Sequence, residues 1–293
     1  MFYRRKIILA LIQLLNGEVE KTRLQKLLFL YTVRKQNPEY EFVPYKYGCY
    51  SYSVKADLVT MLKKDYLSDT DKGYKKTGSV DYLRLLKESD KKRLLKTIGD
   101  YGNMSNESLI KHTYINFPYY AINSTIAEKM LSESFYERIE KARPSHKEQT
   151  LFTIGYEGIS LENYLNKLVQ NNISLLVDVR KNPLSMKFGF SKTLLKKYCN
   201  SLNISYIHIP EVGIKSEKRQ SLENQDDYDI LFEDYKKTTL KESTESQEQI
   251  LNLLNKYNRI ALTCFESNIC QCHRLPLAES LHKLKNDLII KHI

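Results

Sequence analysis

A dense group of reactive side chains follows one apolar run near the C-terminal end of the sequence. The run 259–265 is expected to be a buried strand; it contains a thiol, Cys264, and a carboxylate, Glu266, comes directly after it. A second thiol, an imidazole and a guanidinium follow within eight further positions: Cys272, His273 and Arg274. Loops that leave the carboxyl ends of parallel strands line the ligand crevice of an open α/β sheet. The pattern therefore predicts a site of chemistry; the alternative is a buried structural cysteine, a polar capping loop and a surface arginine.

Polar signatures also follow three other apolar runs that are expected to be strands. They are Gly155-Tyr156-Glu157-Gly158, Asp178-Val179-Arg180 and Pro210-Glu211-Val212-Gly213. If the strands are parallel, all these loops emerge along one edge of the sheet. Residues far apart in the sequence are then expected to meet in one crevice.

One interpretation of this crevice is hydrolysis supported by carboxylates and arginines. Glu157, Asp178 and Glu266 are the predicted acids or bases, because like charges in a crevice raise the pKa of one member. A guanidinium is always charged and fork-shaped, which suits a phosphate or a developing negative charge. The residues predicted to bind the substrate are Tyr156, Arg180, Ser185, Glu211 and Arg274. The alternative is that Asp178 and Arg180 are structural partners that fix the end of a strand.

A second interpretation is thiol chemistry, with either Cys264 at a strand end or Cys272 beside His273 as a thiolate of lowered pKa. A third is a metal centre built from the soft ligands Cys264, Cys270, Cys272 and His273. Their spacing lacks the CxxC arrangement of structural zinc sites, and the adjacent Cys272 and His273 are expected to have difficulty sharing one ion. We therefore predict no metal and no cofactor.

The second half of the sequence alternates strand and helix patterns. The segment Arg143-Pro144-Ser145-His146-Lys147 is polar and broken by proline, which places a domain boundary between residues 146 and 147. Strands are predicted over 151–154, 173–179, 204–209, 259–265 and 288–293, and helices over 160–169, 191–202, 228–237, 245–257 and 275–285. Runs that are apolar throughout are typical of parallel strands covered on both faces. Residues 147–293 are therefore predicted to form a Rossmann-like α/β domain with a mostly parallel sheet.

Residues 1–146 are predicted to form a mainly helical, basic domain. Helical periodicity covers 4–15 and 21–35, and a third helix with Ser51 or Ser53 as its N-cap is predicted to run to about residue 64. A hairpin is predicted around Asp71-Lys72-Gly73, and further helices are predicted over 89–98, 105–113 and 123–142. Three helices followed by a basic hairpin favour a winged helix, whose third helix enters the major groove of DNA while the wing touches phosphates. The predicted nucleic-acid contacts are Lys55, Lys63, Lys64, Lys72, Lys75 and Lys76. A solvated lysine-rich surface is the alternative.

The charge is distributed unevenly along the chain, whose formal net charge is +11. Residues 1–149 contain 27 Lys and Arg against 18 Asp and Glu, whereas residues 150–293 contain 19 against 17. The first half is therefore expected to hold a polyanion. The cysteines Cys49, Cys199, Cys264, Cys270 and Cys272 are odd in number, and we see no export signal and no apolar stretch of bilayer length, so we expect reduced thiols in a cytoplasmic protein.

Residues 150–290 resemble the family called domain of unknown function 488 (DUF488). The matching segments are Thr153-Ile154-Gly155-Tyr156-Glu157-Gly158, Val177-Asp178-Val179-Arg180 with Asn182-Pro183 and Ser185, Gly189-Phe190-Ser191, His208-Ile209-Pro210-Glu211-Val212-Gly213, and Cys264-Phe265-Glu266 with Cys272-His273-Arg274. The resemblance implies an α/β fold with a shared crevice and supplies no reaction. Cys270 is an additional thiol that the family pattern does not contain.

Part of the first half resembles the Panacea (SocA-like) antitoxin domain. The similar segments are Arg23-Leu24-Gln25-Lys26-Leu27-Leu28-Phe29-Leu30, Tyr45-Lys46-Tyr47-Gly48 and Tyr50-Ser51, and Cys49 stands where that family usually has proline. This resemblance implies a module that binds a protein partner.

Together these features favour a nucleic-acid-directed enzyme. The basic N-terminal domain would hold DNA or RNA, and the crevice would hydrolyse an N-glycosidic or phosphodiester bond, as a glycosylase or nuclease does. Two alternatives stay open: a non-enzymatic regulatory or defence module that binds a protein partner and a small ligand, and a thiol-dependent enzyme that uses Cys264 or Cys272.

Overall fold

The computed structural model describes residues 1–219 and 222–293. The described residues form two compact units, Met1–Arg143 and Pro144–Ile293. The division falls in the proline-containing segment, three residues before the boundary expected from the sequence.

The N-terminal unit begins with helices and short strands in the order of a winged helix. The elements are α1 (Tyr3–Leu14), β1 (Glu18–Val19), α2 (Lys21–Thr32), β2 (Val43–Tyr45), β3 (Gly48–Tyr50), α3 (Tyr52–Lys63), β4 (Leu67–Asp69) and β5 (Tyr74–Lys76). Strand β5 pairs antiparallel with both β1 and β4, so the hairpin β4–β5 is the predicted wing and β1 completes its sheet. The hairpin β2–β3 is inserted between α2 and α3.

Local sequence explains where the first helices begin and end. Asn16 and Gly17 have φ angles of 60° and 85°, a left-handed conformation that terminates α1 and that glycine adopts at little cost. At the start of α3, the Ser51 side chain accepts a hydrogen bond from the amide of Val54, which is the usual N-cap arrangement. The residue types therefore indicate both the end of α1 and the start of α3.

The rest of this unit is helical: α4 (Glu88–Tyr101), α5 (Asn106–Asn116), α6 (Ala127–Met130) and α7 (Glu133–Ala142). The single helix predicted over 123–142 is wrong. Leu131 and Ser132 are extended, with ψ angles of 155° and 158°, and they separate α6 from α7. Serine is a weak helix former because its hydroxyl competes for backbone hydrogen bonds, and here the break falls beside it.

The C-terminal unit is an α/β domain, as the sequence predicted. Its elements are β6 (Thr150–Gly155), α8 (Leu161–Gln170), β7 (Leu175–Asp178), α9 (Lys192–Asn200), β8 (Ser205–His208), α10 (Gln225–Tyr235), α11 (Thr244–Tyr257), β9 (Arg259–Cys264), α12 (Arg274–Leu284) and β10 (Ile290–His292). Helix α10 continues into a π-helical turn, Lys236–Leu240. The sheet order is β10-β6-β9-β7-β8, and every neighbouring pair is parallel.

Strand β9 lies at the centre of this sheet, and the site described below is built at its end. Each residue of β9 is buried, because β6 and β7 flank it and both of its faces are covered. Leu175, Val177, Ile260 and Leu262 belong to the core, which packs against Ile250 and other residues of the helices. Burial on both faces explains why the strands appear as continuous apolar runs in the sequence.

Candidate functional site

The loops that leave four neighbouring strands meet at the carboxyl edge of the parallel sheet. The register pairs Gly155 with Cys264, and Asp178 with both Thr263 and His208, so the four strands end at nearly the same level. This convergence is what the sequence pattern predicted.

Gly155 allows two of these loops to approach each other closely. A Cβ atom at this position would lie 1.9 Å from the carbonyl oxygen of Glu266 and 2.9 Å from Nη2 of Arg274. The amides of Tyr156 and Glu157 donate to the carbonyl oxygen of Phe265 at 3.1 and 2.9 Å, which extends the pairing of β6 and β9 into the loops. The loop that carries Glu266 is thereby fixed against the loop that carries Tyr156.

Asp178 and Arg180 form a buried ion pair with two parallel hydrogen bonds. Arg180 donates through Nε to Oδ1 at 2.8 Å and through Nη2 to Oδ2 at 2.5 Å, and Tyr206 donates its hydroxyl to Oδ2 at 2.6 Å. Burial opposes the charge of Arg180, but the hydrogen bonds and the charge of Asp178 outweigh it and raise the pKa of the guanidinium. The Asp178 carboxylate, which is fully buried, is thus occupied by protein donors. This geometry favours the structural-partner interpretation of Asp178 over the predicted catalytic one.

Tyr156 joins this ion pair to an aromatic cluster. Its hydroxyl accepts a hydrogen bond from Nη1 of Arg180 at 2.8 Å. Its ring stacks on Phe190 with a centroid separation of 4.3 Å and meets the edge of Phe265 at 5.4 Å. Tyr156 therefore positions Arg180 and also forms part of the wall of the crevice.

Cys264 lies between a carboxylate and an imidazole. Its thiol donates to Oε2 of Glu266 at 3.2 Å, and Sγ lies 3.7 Å from Nδ1 of His273. Nε2 of His273 is 3.1 Å from the carbonyl oxygen of Val179. Because a carbonyl only accepts, Nε2 carries the proton, and in the neutral imidazole Nδ1 is an acceptor that faces the thiol.

Cys272 and Arg274 lie directly beside this group, and both are buried. Arg274 donates through Nε to Sγ of Cys272 at 3.1 Å and through Nη2 to the carbonyl oxygen of Glu266 at 2.5 Å. Burial, followed by the hydrogen bond to Cys264, raises the pKa of the Cys272 thiol well above its usual value. The burial of Arg274 contradicts the alternative of a surface arginine, and its predicted contact with a substrate stays a prediction.

The ligand atoms of Cys264, Cys272 and His273 lie within 4.8 Å of one another. Adjacency in the sequence, which was expected to make it difficult for Cys272 and His273 to share one ion, thus does not keep their ligand atoms apart. His273 is the N-cap residue of α12, so Cys272 and His273 lie where the backbone turns from the loop into the helix. Cys270, the fourth predicted soft ligand, is exposed and lies outside the group.

A cavity of about 220 Å³ opens at the same edge of the sheet. Its lining includes Tyr156, Arg180, Lys181, Asn182, Ser185 and Cys264. Four of these, Tyr156, Arg180, Ser185 and Cys264, are predicted site residues. The structure thus brings together residues that span more than a hundred positions of the sequence.

Seven of the predicted site residues do not line this cavity: Asp178, Glu266, Cys272, His273, Arg274, Glu157 and Glu211. Glu211 belongs to the 3₁₀ turn Pro210–Val212 and lines a neighbouring cavity of about 470 Å³. Glu157 is exposed, and its Oε2 accepts hydrogen bonds from the amide and the hydroxyl of Ser267 at 3.0 and 3.1 Å. Glu157 therefore fixes the loop after β9 from the rim of the site.

The loop after β7 contributes residues that the sequence analysis missed. Lys181 and Asn182 line the cavity, and Lys187 donates to the carbonyl oxygen of Tyr156 at 2.5 Å. Leu184 and Met186 are exposed to solvent on the same loop, with 76% and 104% relative exposure. The sequence could have marked this loop as functional, since apolar residues in a segment that begins with Asn-Pro are unusual for a solvated loop.

The N-terminal lysines lie on the predicted helix and wing. Lys55 and Lys63 are exposed on α3, one turn to either side of the exposed Val59, and Lys64 follows the helix. On the wing, Lys72 and Lys75 are exposed, whereas Lys76 is half-buried and donates to the carbonyl oxygen of Gly78. Lys55 also donates to the hydroxyl of Tyr74, which holds it against the wing.

A buried lysine in the N-terminal unit was not expected. Lys26 is 1% exposed, its Nζ donates to the carbonyl oxygen of Cys49 at 3.0 Å, and burial lowers its pKa. It lines a cavity of about 250 Å³ together with Tyr45, Tyr47 and Tyr50. The sequence could have indicated this burial, because Lys26 lies inside the leucine-rich run of α2 and the flanking leucines place that run in the core.

Fold and site together define the C-terminal unit as a parallel α/β domain with a crevice at the carboxyl edge of its sheet. Residues 160–281 match the family model described as Domain of unknown function DUF488. The match lies within the C-terminal domain, where the sequence motifs predicted it. Neither a curated protein nor a solved structure matches the chain at a significant level.

The resemblance of the N-terminal half to the Panacea domain stays a prediction. Among the helices that the structure describes, none has the length and apolar character needed to cross a bilayer.

Proposed function

We propose that this protein is a nucleic-acid-directed hydrolase. The N-terminal domain holds DNA or RNA, and the crevice of the C-terminal domain breaks an N-glycosidic or phosphodiester bond in it. The observation that carries the proposal is the cavity in which Arg180, Ser185 and Cys264 meet at the carboxyl edge of the sheet. Glu266 does not line this cavity, but it is a half-buried carboxylate that accepts a hydrogen bond from the lining residue Cys264, and this contact supports hydrolysis.

The size and lining of the cavity favour one group of a larger anionic substrate. Sites that enclose a drug-sized ligand measure about 300–1,000 Å³, which exceeds the 220 Å³ of this cavity. A single base or phosphate presented by a nucleic-acid chain fits this size. Lys181 and Asn182 supply a cation and an amide for such a group.

Among the predicted carboxylates, Glu266 is the one whose surroundings suit a general base. Asp178 is engaged by Arg180 and Tyr206, and Glu157 holds Ser267 on the rim. In the proposed reaction Glu266 takes a proton from a water molecule, and the water oxygen bonds to the sugar carbon or to the phosphorus. The bond to the base nitrogen or to the leaving oxygen breaks, and the leaving group receives the proton from Glu266.

The N-terminal domain supports the choice of a nucleic acid. Its residues carry most of the positive charge of the chain, and α3 presents Lys55 and Lys63 on one exposed face beside the lysines of the wing. A third helix followed by a hairpin is the arrangement by which helix-turn-helix proteins of the winged type bind duplexes.

The experiment is to incubate the full chain with end-labelled DNA and RNA, single- and double-stranded, and to analyse both strand length and released bases. A hydrolase of the phosphodiester type shortens the strand, and one of the glycosidic type releases a free base. Intact strands and no free base with every substrate, from a protein that retards the same strands in a gel, would remove the hydrolytic part of the proposal.

A thiol-dependent enzyme is the second candidate, and one observation favours it. Sγ of Cys264 lies 3.7 Å from an acceptor nitrogen of His273, which is the arrangement of a nucleophile with its base. A nucleophilic thiol predicts that iodoacetamide modifies Cys264 and stops activity, with the substrate protecting it. Full activity after complete alkylation of Cys264 excludes this candidate.

The non-enzymatic alternative and the cytoplasmic location remain predictions. A regulatory module that docks a protein partner would show no dependence of nucleic-acid affinity on salt, because that dependence comes from the release of counterions at phosphate contacts.

A further inference from the structure

Three buried side chains at the end of β9 present soft ligand atoms to one point. They are Cys264, Cys272 and His273, and each is about 1% exposed. A single buried cysteine is common in protein cores. Here two thiol sulfurs and an imidazole nitrogen all lie within 4.8 Å of one another, which is the arrangement of a set of metal ligands.

The distances agree with tetrahedral coordination. Zinc binds cysteine sulfur at about 2.3 Å and histidine nitrogen at about 2.0–2.1 Å, which at a tetrahedral angle places the two atoms roughly 3.6 Å apart. Sγ of Cys264 and Nδ1 of His273 are 3.7 Å apart. A central ion therefore fits between these two ligands with almost no movement.

The group that orients the histidine is also present. Metal-bound histidines almost always donate their second ring nitrogen to a carboxylate, a backbone carbonyl or water, which fixes the tautomer. Nε2 of His273 lies 3.1 Å from the carbonyl oxygen of Val179, so Nδ1 faces the thiols.

Arg274, a buried cation, lies directly beside the group and donates to Sγ of Cys272 at 3.1 Å. Cysteine binds zinc as the thiolate, so binding of the ion would release the thiol protons. A divalent cation between two thiolates would also remove the repulsion between them.

We propose that Cys264, Cys272 and His273 hold a zinc ion. Three protein ligands leave a fourth position, as in catalytic zinc sites, and a water molecule there has a pKa near neutrality. Oε2 of Glu266 lies 3.2 Å from Sγ of Cys264, so this carboxylate is close to the proposed ion. The inference rests on this geometry and not on the proposed hydrolysis, although such a water would serve as its nucleophile.

The test is elemental analysis of the full chain, purified without chelators or an affinity tag that binds metals. We expect one zinc per chain, which persists through gel filtration. Cys264→Ser, Cys272→Ser and His273→Gln should each lose it. Cys270→Ser is the matched control, because Cys270 belongs to the same loop but is exposed, and it should keep the full content.

Substitution with cobalt gives a readout that does not depend on the variants folding. Cobalt(II) added to the metal-free wild-type chain should give the near-ultraviolet charge-transfer band of thiolate ligation and the strong visible bands of tetrahedral geometry. Absence of these bands from the folded wild type would overturn the inference. So would zinc that is lost with Cys270→Ser, or a disulfide between Cys264 and Cys272 in a metal-free chain.

The outcome is separable from that of the proposed function. A chain that binds zinc but leaves every nucleic acid intact keeps the metal site and loses the hydrolase. A chain that cleaves nucleic acid without zinc, and after treatment with a chelator, loses the metal site and keeps the hydrolase.

Discussion

Asp178 and Glu266 are both carboxylates at the carboxyl edge of the sheet, and their surroundings give them different roles. Asp178 is fully buried and bonded to Arg180 and Tyr206, whereas Glu266 is half-buried beside Cys264. Removing one partner of a buried ion pair leaves the other charge without compensation. The same conservative change to the amide should therefore affect stability at one position and chemistry at the other.

Asp178→Asn should destabilise the C-terminal domain by about 3–5 kcal/mol, the usual cost of breaking a buried pair. Urea unfolding followed by circular dichroism measures this free energy. Glu157→Gln is the control, because Glu157 is exposed, and it should change the free energy of unfolding by less than about 0.5 kcal/mol. A fully stable Asp178→Asn protein would show that the pair does not hold the strand end.

Lys26 should make stability depend on pH in the alkaline range. Burial lowers its pKa in the folded state, so the unfolded chain keeps its proton up to about pH 10.4 while the folded chain has already lost it. The free energy of unfolding therefore rises with pH between the folded-state pKa of Lys26 and its unfolded-state pKa. Below this range the folded chain bears the full cost of burying the charged ammonium. Lys26→Met should accordingly raise the melting temperature most near neutral pH, with the gain shrinking toward pH 10.4. A variant that is less stable at every pH would show that the hydrogen bond to Cys49 outweighs the cost of burial.

In the proposed function, helix α3 and the wing are the elements that bind the nucleic acid. Exchanging Lys55 and Lys63 for Gln in the full chain should lower the salt slope of binding by roughly 1 for each phosphate that is no longer neutralised, across all sequences tested. Gel retardation over a range of salt concentrations measures the slope. Lys129→Gln on α6 is the control and should leave the slope unchanged. An unaltered slope in the double variant would mean that these lysines are only a solvated surface.

The sequence predicted the helices and strands that local residue patterns mark. The strands of the α/β domain were recognisable because burial on both faces leaves continuous apolar runs, and Ser51 and Ser160 mark helix starts that the structure confirms. The break at Leu131 and the short strand β1 were not predicted. A strand of two residues has no periodicity, and it exists only because β5 pairs with it.

The site was predictable in position and only partly in geometry. Parallel strand ends had to converge, so Tyr156, Arg180 and Cys264 were expected in one crevice. The partners of each side chain depended on contacts that no spacing specifies, such as the bond between Tyr206 and Asp178. The spacing of Cys264, Cys272 and His273 likewise argued against a shared ion, whereas the structure brings their possible ligand atoms within 4.8 Å of one another.

At the scale of the whole molecule, most of the positive charge lies in the N-terminal half, whereas the candidate site lies in the C-terminal domain. The first half carries an excess of nine basic residues, and the second half an excess of two. In the proposed function, the basic domain holds a long anionic chain and the α/β domain acts on one of its groups.

The most direct test of this account is the rate of hydrolysis by Glu266→Gln compared with that by the wild-type chain. General-base assistance is worth about 100- to 10,000-fold, so the variant should lose that factor in turnover while its melting temperature and its affinity for nucleic acid stay the same. Glu157→Gln, on the rim of the same crevice, should keep nearly full activity. A Glu266→Gln protein that cleaves at the wild-type rate would contradict the account.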